Sequence, residues 1–210
     1  MRVFVFYSNT VRTDGNFKDL YKSGRVDIII NSILHAFFIS NGLRKNVIFD
    51  MSLNGPPMPP LRVKIESNPE TSWSKKDIST LLSLSIKKFL KKGNTNPFPG
   101  ICVEKENFRS IIESYLSLGR NIYVLDKSGE FIEEVSINNP VFVIGDFIGI
   151  PKKELKWLKN NSKFVSLGDL PYFSSQVIVI LNWILDKMNY YTGFYSTEDK
   201  FAELKRRLNI

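Results

Sequence analysis

The stretch Asn139 to Glu154, NPVFVIGDFIGIPKKE, decides how the rest of the chain is read. Its apolar run Val141 to Ile144 has the length and residue types of a buried strand. The run breaks into Gly145-Asp146, passes through Phe147-Ile148 to Gly149, and meets Pro151 at the head of a lysine-rich segment. Glycine at such a strand end serves either a backbone conformation that other residues avoid or a close approach of something to the main chain. The stretch by itself leaves both open.

Working outward, β-rich runs recur at Arg2 to Ser8, Asn46 to Leu53, Leu61 to Ser67, Asn121 to Asp126, Val141 to Asp146 and Lys163 to Leu167. Segments of helical spacing separate them, and the alternation predicts an α/β fold with a mostly parallel sheet and helices on both faces. Ile28, Ile29, Ser32, Ile33, Ala36, Phe37 and Ser40 follow the i, i+3, i+4 rule and predict a helix after Gly24-Arg25-Val26-Asp27. Ser74 is placed to cap a second helix, with Ile78, Leu81, Leu82, Ile86, Phe89 and Leu90 on one face and Lys75, Lys76, Lys87, Lys88, Lys91 and Lys92 on the other. A third helix is expected from Asn107 to Leu118 and a fourth from about Phe173 to Met188. The proline-dense NGPPMPP, Asn54 to Pro60, reads as a stiff turn between two strands. Residues 1–188 form one expected domain. Residues 189–210 read as an appended helical extension, with Ser196 as its cap.

Composition narrows the function. With 210 residues and 43% hydrophobic content the chain can bury a substantial core. No run reaches the roughly 18 apolar residues that cross a bilayer, and MRVFVFYSNT lacks the features of a signal peptide, so a cytoplasmic protein with no membrane partner is expected. One cysteine, Cys102, and one histidine, His35, cannot build the usual zinc site, so no metal is expected. The net charge of +8 is uneven: residues 1–105 hold 16 of the 29 Lys+Arg and 8 of the 21 Asp+Glu, and residues 106–210 hold 13 of each. That split suggests a polyanion-facing first half, although a plain soluble basic surface gives the same count.

Several enzyme classes drop out. No G-x-G-x-x-G follows a strand, because three residues separate Gly145 from Gly149, and G-x-x-x-x-G-K-[ST] is absent. There is no nucleophile elbow, and His35 falls on the apolar face of its helix, where a buried structural role is expected. Three loops remain at strand ends: Leu125 to Gly129, Gly145 to Gly149, and Ser166 to Pro171. Ligands of open α/β sheets bind outside the carboxyl ends of strands, and apolar neighbours with free main-chain amides suit an adenosine-like ligand. Three ordinary strand-to-helix turns would look the same.

At this point the residues carry a resemblance. SGRVDIIINSILHAFFISNGLRKNVIFDMSLNGPPMPPLRVKIES, NPFPGICVEKENFRSII, GRNIYVLDKSGE, NPVFVIGDFIGIP and SLGDLPYFSSQVIVILNWILDKM, colinear from Ser23 to Met188, resemble the archaeal tRNA pseudouridine N1-methyltransferases of the SPOUT superfamily. The resemblance implies a C-terminal trefoil knot, S-adenosylmethionine bound within it, and a homodimer. It implies methyl transfer to N1 of pseudouridine at position 54 in the tRNA T arm. The related rRNA pseudouridine methyltransferases, and an RNA-binding module of the same fold without catalysis, are the alternatives. By the same resemblance the cofactor would meet Leu125, Gly145, Gly149, Val165, Ser166, Leu167, Gly168, Asp169, Leu170 and Val177, with Gly145 a glycine because the ligand lies against it. Arg25 would stabilise charge on the pyrimidine oxygens and Asp27 would accept or orient the N1 proton; an i, i+2 cap at the helix start would use the same two residues. Arg25, Arg44, Arg62, Lys87, Lys88, Phe108 and Arg109 would contact RNA. Two departures from the family pattern stand out: Gly168-Asp169-Leu170-Pro171 replaces its usual turn, and Val177 stands where a cysteine is common.

Overall fold

A computed structural model describes residues 1–40, 42–68, 75–190 and 193–196. Seven strands form one sheet: β1 (Arg2–Ser8), β4 (Val47–Leu53), β5 (Leu61–Glu66), β6 (Ile101–Glu104), β7 (Asn121–Phe131), β8 (Pro140–Gly145) and β9 (Lys163–Ser166). Their order is β6-β5-β4-β1-β8-β7-β9. The five strands from β4 to β9 run parallel, and β5 and β6 add antiparallel at one edge.

The central position of β1 shows in its burial. Every residue of RVFVFYS is buried, which is the mark of a parallel strand covered on both faces. Phe4 and Phe6 point into one core cluster with residues of α1 (Val26–Phe37), α2 (Lys75–Lys92) and α5 (Ser174–Lys187). Val3, Val5 and Tyr7 point into a second cluster with α3 (Phe108–Ser117) and α4 (Lys152–Leu158). Helices therefore cover both faces, as the alternation of periods predicts.

All six expected strands are present, with ends within a few residues of those read from sequence except at β7, which runs on to Phe131. Three features differ. The lysine-rich segment after Pro151 is the helix α4, whose two turns are too short to declare a period. Strand β6 was not anticipated, being four residues long. Phe194–Ser196 is a strand, β10, paired antiparallel with β3 (Gly42–Arg44), which in turn pairs with β2 (Phe38–Ile39). Ser196 thus ends a strand; the helix expected beyond it, and the Ser74 cap of α2, lie outside the described residues.

His35 corrects another expectation. It is exposed on α1, with Nδ1 2.7 Å from the Asn31 carbonyl, because the buried stripe of that helix is Val26, Ile29, Ile30, Ser32, Ile33, Ala36 and Phe37. Asn182 of α5 occupies the buried polar position instead, donating to the His35 carbonyl at 2.9 Å and accepting from Arg2 at 2.8 Å.

Candidate active site

The carboxyl ends of β7 and β9 and the start of α5 enclose a cleft of about 170 Å³. Leu125, Asp126 and Lys127 come from β7, and Val165 and Ser166 from β9. Leu167, Gly168, Leu170, Pro171 and Tyr172 come from the loop that follows, and Val177 from α5. The walls are mostly apolar. Gly168 has φ +100 and no heavy atom within 4 Å of where a Cβ would sit, so its main chain faces open space. Its amide donates to the Ser166 hydroxyl at 3.0 Å, which fixes the turn. Apolar walls with an exposed glycine backbone fit a flat, neutral ring such as adenine.

Asp126 brings charge to this cleft. The Ser128 hydroxyl donates to its carboxylate at 2.6 Å and the Ser128 amide at 2.9 Å. The hydroxyl bond first, then the amide and the nearby Lys127 and Lys159, outweigh partial burial and hold its pKa below the ordinary aspartate value. A carboxylate at the edge of a cleft favours a ligand that carries positive charge.

Gly145 and Gly149 answer the question of the opening stretch differently from the resemblance. A Cβ on Gly145 would lie 2.9 Å from the carbonyl carbon and Cα of Gly149 and from the Ile150 nitrogen. The close approach that demands glycine comes from the chain itself, folding back over its own turn. Gly149 adopts φ +87, and Asp146 closes the turn by accepting from the Ile148 amide at 2.9 Å. Neither glycine lines the cleft, and Asp169 does not either. The Gly145 carbonyl nonetheless accepts from the Ser174 hydroxyl at 2.8 Å, which joins this turn to the first residue of α5.

Arg25 occupies the residue before α1 with φ 64 and ψ 45, a left-handed backbone that non-glycine residues adopt at a cost of about 1–3 kcal/mol. Its side chain makes no cap bond. Nε and Nη2 instead donate to the two carboxylate oxygens of Asp27 at 3.0 Å each. The guanidinium lies 5.3 Å from the ring centroid of Tyr21 and 5.5 Å from that of Phe147. Sequence reasoning found Arg25 and Asp27 and missed both rings, although Tyr21 stands four residues before Arg25 and Phe147 lies in the loop quoted first.

Four expected RNA contacts are committed elsewhere. Phe108 is buried and packs edge-on against Tyr7 at 5.0 Å, so no base can stack on it. Arg62 donates to the fully buried Asp50 at 2.7 Å and to Glu106 at 2.5 Å, and Tyr115 adds a bond to Asp50 at 2.8 Å. Burial opposes the charge on Arg62, but Asp50 and Glu106 together hold its pKa above the arginine norm. Arg44 is bidentate to Asp186 at 2.9 and 2.8 Å. Arg109 donates to Glu154 at 2.9 Å and lies over Trp157 at 5.2 Å. Arg62 and Arg44 are also nearly buried, at 11% and 12% accessible, which with their carboxylates leaves little of either for phosphate; Arg109, like Arg25, stays partly exposed beside its carboxylate. Lys87 and Lys88 are exposed on α2, with the Lys88 ammonium 3.7 Å from the Phe98 ring centroid.

Residues 1–190 match the model of the family described as "Putative SAM-dependent RNA methyltransferase". The chain belongs to that family. Among curated relatives it is similar to the tRNA (pseudouridine(54)-N(1))-methyltransferase of Methanocaldococcus jannaschii, 36% identical over 89% of this chain and 97% of the relative. The enzyme of the same name from Pyrococcus abyssi is 34% identical over 90% of this chain and 98% of the relative. Among solved structures, Archaeoglobus fulgidus Nep1, bound to S-adenosylhomocysteine, superposes with a TM-score of 0.62 over 90% of this chain and 99% of that one. At 13% identity that likeness establishes a shared fold. Family members use S-adenosylmethionine, and the apolar, main-chain-lined walls of the cleft suit its adenine.

Proposed function

We propose that this chain methylates N1 of pseudouridine 54 in the T arm of tRNA. The observation that carries the reading is the coupling of two features through one turn. The cleft at the ends of β7 and β9 shares α5 with the Gly145 turn, and the Phe147 ring of that turn reaches Arg25. The relatives' names support the choice of base and position.

S-adenosylmethionine supplies a methyl group on a positively charged sulfur. Leu125, Val165, Leu167, Leu170 and Val177 would enclose its adenine, and the Ser166 to Gly168 main chain would hydrogen-bond the ring edge. Asp126 would complement the positive charge. N1 of pseudouridine carries a proton, since the base joins ribose through carbon, and methylation requires that proton to leave. Asp27 would orient or accept it, and Arg25 would stabilise the negative charge that develops on the pyrimidine oxygens. Their bidentate pair holds the two side chains aligned before substrate arrives.

Lys87 and Lys88 would supply phosphate contacts from α2. A homodimer would complete the cleft, which at about 170 Å³ falls below the roughly 300 Å³ typical of a ligand pocket. The outward residues of α5 and its preceding loop suit such an interface: Val179, Trp183, Phe173 and Leu170 are exposed, with Phe173 77% accessible. Ile178, Leu181, Ile184 and Leu185 face the subunit's own core and contribute nothing to it. The trefoil threading, a single domain over residues 1–188 and a cytoplasmic location belong to the same proposal. Calorimetric titration with S-adenosylmethionine, followed by methylation of pseudouridine-containing tRNA and small-subunit rRNA with mass-spectrometric mapping, tests it. Failure to bind the cofactor would leave an RNA-binding module; methylation of rRNA alone would change the substrate.

A further inference from the structure

Tyr21 and Phe147 both present aromatic rings to the Arg25 guanidinium, and both are exposed, at 67% and 57%. Single exposed apolar residues are ordinary. Two rings converging on one guanidinium from separate loops are less so, and neither loop is loose. The Asp19 carboxylate accepts from the amides of Tyr21 and Lys22 at 3.0 and 3.1 Å, and the Arg25 amide donates to the Tyr21 carbonyl at 3.1 Å. On the other side, Asn9 donates its side-chain amide to Asp146 at 2.9 Å and to the Gly149 carbonyl at 2.7 Å, clamping the turn that carries Phe147. Thr10, next in sequence, donates to the Gly24 carbonyl at 2.9 Å. The residues just after β1 therefore fix both loops, and with them the spacing of the rings.

We infer that Tyr21 and Phe147 form, with Arg25, a stacking platform that receives the target pyrimidine once it has left the RNA stack. This deepens the methyl-transfer reading and rests on it. A base taken out of a stack loses its neighbours' π-surfaces, and protein aromatic rings replace them. The rings supply sequence-tolerant affinity, while Arg25 meets the pyrimidine oxygens. The platform belongs to the same turn as Gly145, whose carbonyl is tied to the start of α5, and α5 contributes Val177 to the cleft. The base and the methyl donor would thus be positioned from one shared element.

The test uses the full chain with Tyr21→Leu, Phe147→Leu and Tyr21→Phe. Leucine keeps apolar volume and removes the ring; phenylalanine keeps the ring. The probe is a fluorescent T-arm stem-loop containing pseudouridine, with its Kd measured by anisotropy, its KM by methyl transfer, and S-adenosylmethionine affinity by calorimetry. Each leucine variant should raise Kd and KM about fivefold or more, the loss of one base stack. Cofactor affinity should stay within about twofold, and Tyr21→Phe should keep wild-type RNA binding. Wild-type Kd and KM in both leucine variants would overturn the platform, as would sedimentation showing that the rings affect only dimerisation. A wild-type chain that binds the stem-loop but transfers no methyl group would refute the methyltransferase reading separately, and the leucine variants' Kd would still decide the platform.

Discussion

Gly145→Ala separates two reasons for a glycine. The added Cβ would meet three main-chain atoms of Gly149 and Ile150 at 2.9 Å, closer than real Cβ contacts come, and no flexible side chain is there to yield. The turn must move. Overpacking of this kind costs about 1–3 kcal/mol, and a chain of this size loses about 2–4 °C of Tm per kcal/mol, so melting should fall by about 2–12 °C. Because the cleft is built from other residues, S-adenosylmethionine affinity in the folded variant should change by no more than about threefold. Thermal melting followed by circular dichroism, with calorimetric titration below the transition, measures both. An unchanged Tm together with a lost cofactor affinity would refute the reasoning and show that the ligand itself fills the space above Gly145.

Arg25→Ala should lower turnover by about 10- to 150-fold, the loss of a charged hydrogen bond made in the transition state. Cofactor affinity should be nearly intact; a wild-type kcat would reduce Arg25 to a structural residue. Arg62→Leu should destabilise by about 3–5 kcal/mol, because Asp50 is left buried without a counter-charge. Weaker RNA binding without a change in denaturation midpoint would contradict that assignment. Asp186 is partly buried, yet bonds from Arg44 and Arg2 outweigh that burial and hold its pKa below the ordinary aspartate value. Its contribution should be complete above about pH 4 and be lost as pH falls through the depressed folded value. Asp186→Asn should flatten the acid limb of a stability-pH profile, and an unaltered limb would exclude this pair. Lys87→Ala should weaken RNA affinity modestly and reduce the slope of log Kd against log salt by about one or less, the signature of one phosphate contact; an unchanged slope would remove α2 from the RNA face.

The strands of the parallel sheet were legible because each is a short apolar run bounded by turn residues; the central position of β1 was not, since it shows only in the strand order and in the burial of every residue. The cleft was legible in outline for the same reason: strand ends rich in glycine and apolar residues are where such sheets bind ligands. Side-chain commitments were not legible. Arg62 and Asp50 are adjacent only through the pairing of β4 with β5, and Arg109 meets Glu154 across two helices, one of them too short to show a period. A sequence shows a cation; it does not show the carboxylate that already neutralises it. Phe108 likewise looked like a stacking residue until α3 placed it in the core. The reason for Gly145 was hidden in a contact with its own loop.

The central claim is methyl transfer to one position of one RNA. Incubating the purified chain with S-adenosylmethionine and a tRNA carrying pseudouridine at position 54, then digesting and mapping the RNA by mass spectrometry, tests it most directly. The expected result is the mass of one methyl group added to the fragment containing that base, on N1, and none when uridine replaces pseudouridine. A folded chain that binds S-adenosylmethionine yet leaves that fragment unmodified, or methylates the uridine form equally well, would contradict it.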